Sequence, residues 1–318
     1  MTQREDPIIA LSRERIEIGS KSFAAAARLL PPDVRESTYM LYAWCRHCDD
    51  AIDGQELGFA RAPEAGNGSD RGSEIVDELR RQTLAASRGN PVGPVFEALA
   101  RVMAKHQIPE RHPLELIDGF AMDANGRTYE TLCDTVDYSY HVAGVVGLMM
   151  AQVMGVSDVA ILRRAADLGI AFQLTNIARD VMDDAANSRI YLPLNWLAEA
   201  GVPAEQISDR AHRAGVARVA ERLLAEADRY YNSAVYGIAA LPVRAAISIA
   251  AARAVYRTIG TKVRARGDQA WDERTVVSKP YKAAILAFAP LHVAGAKVSS
   301  LVRQPTRDGL WTHPALAD

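Results

Sequence analysis

Long apolar runs are missing from this chain. Val142 to Val156 is interrupted by Gln152, and Ala283 to Ala296 by Pro290 and His292. Neither reaches the roughly 20 apolar residues that a spanning helix needs. Both are expected as buried core helices; the competing reading is a greasy mouth resting on a membrane surface, which would suit a lipid substrate. Cysteine is scarce: three residues in 318 form no disulfide framework and fit a reducing cytoplasm. Cys45 and Cys48 bracket Arg46 and His47, yet no second pair exists and Cys133 is remote, so a zinc or redox centre is not expected. Excess charge is absent too. A formal charge of -2 and a pI near 6.4 argue against a nucleic-acid binder held by phosphate contacts. Gly66, Gly68 and Gly72 fall short of a dinucleotide fingerprint, because the last glycine is displaced and no strand precedes them. None of the seven histidines has Glu three positions before it, which removes the di-iron carboxylate bundle. Met1 to Arg15 shows no apolar h-region, so no secretory signal is expected.

What the chain has is helical periodicity. Amphipathic segments run over Asp33 to Ile52, Ile75 to Ser87, Val95 to Lys105, Asp158 to Ala186, Ala204 to Tyr236 and Val243 to Arg266, and strand signals are few. The expected fold class is all-α, as one domain over residues 1–302. Residues 303–318, with Pro305, Gly309 and Pro314, read as a loosely held tail. Gly54 is a stop for the helix that begins at Pro31-Pro32-Asp33, and Gly54 to Ser73 reads as a lid-like loop. Val243 to Gly267 holds six Arg or Lys and no acid, which suits a solvated face or closure over an anion.

Two acidic stretches carry the chemistry. At about 100° per residue, carboxylates at i and i+4 leave a helix on nearly one side, so Asp49 pairs with Asp53 and Asp180 with Asp184. Tyr42 and Arg46 extend the first stripe backwards. Asn176 extends the second, with Arg179 beside it. Both stripes sit in apolar, aromatic surroundings where unpaired carboxylates would be costly, and ligation offsets that cost. Facing stripes would repel unless cations lay between them, and hard oxygen donors suit Mg²⁺, whose shell substrate phosphates commonly complete. A diphosphate-handling enzyme is the expectation. Gly144 and Gly147, in the apolar helix expected over Tyr138 to Met154, serve close helix packing by default. The alternative is a channel wall with room for a long hydrocarbon.

Five blocks, Ser20-Lys21-Ser22-Phe23, Tyr42 to Asp53, Val142-Ala143-Gly144, Phe172 to Asp180 and Arg189 to Pro193, resemble the squalene and phytoene synthase family, and within it the bacterial branch of carotenoid biosynthesis. The resemblance runs from about Ser20 to Lys282. It implies an isoprenoid-synthase helical fold with the acidic helices facing a central cavity. It further implies Asp49, Asp53, Asn176, Asp180 and Asp184 as Mg²⁺ ligands, with Mn²⁺ as a substitute. Arg46, Gln173, Arg179, Tyr191, Ser20, Lys21 and Ser22 correspond to residues near the diphosphates, and Tyr42 and Tyr138 to cavity aromatics. Phe23, Val142 and Gly147 belong with the substrate-binding set, and Tyr256 and Arg274 match a late pair that grips a diphosphate. Tyr42, Arg46, Tyr138 and Arg179 are the implied catalytic set. Gly19 stands where some relatives have His, and Ala27 where shorter-chain relatives can carry Phe; the smaller Ala27 favours a longer substrate. The implied reaction is head-to-head condensation of two geranylgeranyl diphosphates without NADPH, the alternative being dehydrosqualene or squalene synthesis from farnesyl diphosphates. Implied partners are the prenyl diphosphates, a membrane touched peripherally and, as pathway neighbours, a geranylgeranyl diphosphate synthase and a phytoene desaturase.

Overall fold

The computed structural model describes residues 6–56, 59–60, 68–302 and 306–316. Thirteen α-helices occur among them, numbered in chain order. These are α1 Pro7–Gly19, α2 Lys21–Ala27, α3 Pro32–Asp53, α4 Gly68–Ser87, α5 Gly93–His106, α6 Arg111–Ala124, α7 Leu132–Ser139, α8 Val145–Val153, α9 Val159–Ala186, α10 Leu194–Glu199, α11 Arg213–Ala240, α12 Val243–Arg266 and α13 Lys279–Val302. The only β pairing among the described residues joins β1, Gln55–Glu56, to β2, Phe59–Ala60. The all-α expectation holds. The chain, read from its sequence as one domain, divides into two compact units: Met1–Asn125 with Leu148–Ser157, and Gly126–Gly147 with Asp158–Asp318.

In the first unit α3 packs against α1 and α5, and α4 against α5 and α6. Proline at its first turn starts α3, and Gly54 stops it at φ 63°, a left-handed conformation that costs glycine little. Asp6 caps α1 by accepting from the Ile8 amide at 2.8 Å and pairs with Arg101 of α5 at 2.7 Å. The Gly54 to Ser73 segment is shorter as a loop than expected, because α4 begins at Gly68; residues 57–58 and 61–67 lie outside the described residues.

In the second unit α9 is the central helix, packed on α11, α12 and α7. It buries residues on every side, including Leu162, Ile170, Leu174, Ile177 and Val181, as a helix enclosed by others must. Leu174 and Leu223 are fully buried, each contributing about 2 kcal/mol of transfer free energy. A capping box of Thr131 and Asp134 starts α7. A π-helical turn, Tyr140–Gly144, then interrupts the helix expected over Tyr138 to Met154. The segment expected over Ala204 to Tyr236 begins with two short 3₁₀ turns before α11.

Two expectations are corrected. The apolar stretch Ala283 to Ala296 is not a buried core helix: it lies in α13, where Leu286, Phe288 and Leu291 are 41%, 58% and 68% exposed. The tail is not loose over residues 306–316. Arg307 clasps the fully buried Asp167 through two hydrogen bonds of 2.6 and 2.8 Å. The Trp311 amide donates to the Tyr230 hydroxyl, and Arg163 donates to the Leu316 carbonyl.

Candidate active site

In the first unit the acidic end of α3 is organised by Arg46. Its guanidinium pairs with Asp49 at 2.9 Å and with Asp50 at 2.7 Å. Asp49 is the more exposed carboxylate and Asp50 is buried. Asp50 therefore anchors Arg46 while Asp49 stays accessible. Sequence reading gave Asp50 no role, although its i+4 spacing from Arg46 was a usable signal. Tyr42 lies a turn earlier, and burial pushes its hydroxyl up to about 12, so it stays protonated. The Phe23 ring is tilted against it at 6.3 Å. A Cβ on Gly19 would meet the Tyr42 oxygen at 2.6 Å, so the glycine makes room for this tyrosine and a His there would displace it.

Ser20 caps α2 by accepting from the Phe23 amide at 3.3 Å, and Lys21 opens the helix. Ala27 is buried. The side chains of Ser22 and Asp53 lie outside the described residues. Burial drives the Cys45 and Cys48 thiols upward, Cys45 to about 12, so both stay protonated at neutral pH.

The second unit carries the other stripe on α9. Asn176, Asp180 and Asp184 follow one another along α9 at four-residue intervals. Arg179 holds both oxygens of Asp180, the Nε bond being 2.8 Å. Arg274 approaches the same carboxylate at 3.5 Å. Burial alone would depress Arg179, but the hydrogen bonds and charge of Asp180 outweigh it and the net shift is upward. Tyr256 is stacked on Phe172 with centroids 4.2 Å apart. Its hydroxyl is raised by burial and feels the charges of Arg179, Asp180 and Arg274. Tyr256 and Arg274, far from α9 in sequence, are thus brought to the second stripe.

A second aromatic group lies on α7 and the chain before α10. Tyr138 is stacked on Tyr191 at 4.7 Å, and Tyr129 is tilted against both. Thr135 fixes the Tyr191 backbone by donating to its carbonyl at 2.9 Å. Tyr129 is a member that no local sequence signal marked. Gly147 takes the packing role: a Cβ there would stand 2.4 Å from the Ala165 carbonyl oxygen of α9. Val142 sits in the π-helical turn, partly buried.

The donor set tests the fit of a hard cation. Among the described residues no three His, Cys, Asp or Glu side chains form a ready metal cluster; the second stripe includes an amide instead. The Asn176 amide donates to Gln173 at 3.3 Å, while its Oδ1 is buried with no hydrogen-bond partner. An orphaned buried acceptor is costly, and one four residues before Asp180 fits the oxygen-donor set of a hard cation. Such donors suit Mg²⁺ better than a soft metal.

Residues 16–281 match the family described as squalene/phytoene synthase. A phytoene synthase from Pseudescherichia vulneris is 49% identical over 311 residues, covering 98% of this chain and 99% of that protein. A 15-cis-phytoene synthase from a Paracoccus strain is 49% identical over 308 residues, covering 96% and 98%. Among solved structures, a dehydrosqualene synthase in complex with ligand superimposes with a TM-score of 0.79 at 28% identity, covering 91% of this chain and 97% of that one. The squalene synthase of Alicyclobacillus acidocaldarius gives 0.72 at 25%, covering 82% and 94%. The fold is the isoprenoid-synthase helical fold, and the chain belongs to the squalene/phytoene synthase family.

Proposed function

We propose that this protein condenses two geranylgeranyl diphosphates head to head, through a cyclopropyl diphosphate, to phytoene. The observation that carries this reading is the second stripe. There a buried, unpartnered Asn176 oxygen, two aspartates and the cations Arg179 and Arg274 assemble the donors and positive charge that a diphosphate leaving group needs. The close relatives named phytoene synthase support the twenty-carbon substrate.

Asp49 and Asp53 with Asn176, Asp180 and Asp184 would hold Mg²⁺, or Mn²⁺ in its place. When bound, the ions neutralise charge developing on the departing diphosphate. Arg46 and Arg179, which hold carboxylates in this structure, would bind phosphate oxygens of the substrate. Departure leaves an allylic cation, which the double bond of the second substrate attacks; proton loss closes the cyclopropane. Ionisation of that intermediate, rearrangement and a second proton loss give the central double bond. No hydride enters, so no NADPH is used. The stacked Tyr138 and Tyr191 and the Tyr256–Phe172 pair offer ring faces to cationic carbon. Tyr138 and the released diphosphate are the proposed bases.

The competing reading is dehydrosqualene or squalene synthesis from two farnesyl diphosphates, and the 49% identical relatives named phytoene synthase weigh more than the 28% identical dehydrosqualene synthase structure. Incubation of purified protein with each prenyl diphosphate and Mg²⁺, with and without NADPH, followed by hydrocarbon analysis, decides between them. Product from the fifteen-carbon substrate alone overturns the phytoene reading. A cytoplasmic location with peripheral membrane contact belongs to the same proposal, because a forty-carbon hydrocarbon must pass into lipid. So does exchange with the enzymes that make geranylgeranyl diphosphate and desaturate phytoene.

A further inference from the structure

The expectation that the apolar stretch ending at Ala296 is too short to span is corrected: α13, which contains it, is the one described helix long and apolar enough to cross a membrane by length and composition, yet it does not sit in the fold as a buried helix. Ala289, Val293 and Ala296 are buried, and α13 packs against α11 and α12. On its other side Tyr281, Phe288, Leu291 and Val298 are 51% to 68% exposed. These four recur at helical spacing and form one stripe. A helix committed on one face to its own fold does not span a bilayer; it can lie in the plane of an interface.

Charge supplies the second observation. From Arg274 to Arg307 the sequence has six Arg or Lys and no acid, and α12 is likewise free of acids. Between α11, α12 and α13 lies a cleft of about 400 Å³, lined by Arg253, Arg257, Thr258, Thr261, His292 and Ala296. His292 follows Leu291, so the cleft opens at the edge of the apolar stripe. Arg257 and Arg264 share Asp228, at 2.9 and 2.7 Å. Arg253 donates to the Tyr231 carbonyl and has no carboxylate within 4 Å among the described residues. Three guanidiniums against one carboxylate leave two positive charges uncompensated. Burial, then the neighbouring Arg257, lowers Arg253 to about 10, so an arriving anion would relieve a standing cost.

We propose that the exposed face of α13 docks on an anionic phospholipid surface and that the cleft of Arg253, Arg257 and His292 receives a headgroup phosphate. The proposal deepens the membrane contact suggested above by naming its surface. It can stand or fall apart from the condensation, because vesicle binding is read without substrate.

The test is co-sedimentation of the full chain with phosphatidylcholine vesicles and with roughly 7:3 phosphatidylcholine to phosphatidylglycerol vesicles. Wild type should pellet with the anionic vesicles only. Leu291→Glu should weaken partitioning at least about tenfold by placing a charge on the apolar face. Arg253→Gln and Arg257→Gln should each weaken it about fivefold, the effect of one basic residue near an anionic surface. Leu291→Glu should keep its circular dichroism and its diphosphate release in detergent. Equal binding to both vesicle types overturns the need for an anionic surface, and wild-type binding by Arg253→Gln and Arg257→Gln overturns the phosphate cleft. Absence of vesicle binding overturns the whole proposal, as does wild-type protein that is dimeric and becomes monomeric in Leu291→Glu, which would make a second copy the occupant.

Discussion

Arg46 reaches the buried Asp50 at 2.7 Å, so the cation nearest the first acidic pair is held from the protein side. Asp49 and Asp50, adjacent in sequence, should therefore respond oppositely to mutation. Asp50→Ala should cost about 3 kcal/mol of stability, because Arg46 loses its buried partner. Asp49→Asn should leave the melting temperature within a few degrees and abolish turnover. Paired thermal denaturation and diphosphate-release assays read both; equal loss of stability in the two variants would contradict the division of roles.

Asn176 offers the inverse separation. Its Oδ1 is buried without a hydrogen bond, so Asn176→Leu removes an unsatisfied acceptor and should change stability by no more than about 1 kcal/mol. Diphosphate release should nevertheless be lost, and Asn176→Asp should retain part of it with an altered Mg²⁺ requirement. Titration with Mg²⁺ at fixed substrate is the measurement.

Close helix contact at Gly147 leaves no room for a methyl group. Gly147→Ala should destabilise by about 1–3 kcal/mol and slow turnover by shifting α8 against α9. A Gly147→Ala protein with unchanged stability would return this residue to the role of channel wall.

Cys45 and Tyr42 set an alkaline limit. Cys45 keeps its proton to about 12 and Tyr42 does the same, whereas in the unfolded chain they ionise near 9 and 10. The native state thus binds more protons between those values, and stability should fall as pH rises from about 9 to 12. Below pH 8 these groups contribute no slope. Denaturant midpoints across pH, compared with Cys45→Ala, measure the difference. Cys133, exposed on α7, should be the thiol that reacts quickly with a disulfide reagent.

The tail makes a further prediction. Arg307→Ala strips Asp167, fully buried, of its bidentate partner and should cost about 3–5 kcal/mol. Thermal melts of this variant would show the tail to be part of the second unit.

Local chemistry was legible in the sequence where one helix carried it. Helical periodicity gave the helices that carry the acidic residues, α3 and α9, and a glycine after Asp53 gave the end of α3. Residues that depend on partners remote in the chain were not legible. Tyr129, ahead of α7, meets Tyr191 across 62 positions of chain. Arg307 meets Asp167 across 140 positions, so composition alone made the tail look loose. The exposed face of α13 was hidden for the opposite reason: apolar residues that point outward look the same in sequence as those that point inward.

The most direct test of the central claim is extraction of hydrocarbon after purified protein meets geranylgeranyl diphosphate and Mg²⁺ with no nucleotide. The account predicts phytoene, with two diphosphates released for each molecule formed and none formed when Mg²⁺ is chelated. Hydrocarbon only from farnesyl diphosphate, or diphosphate release that ignores chelation, would contradict it.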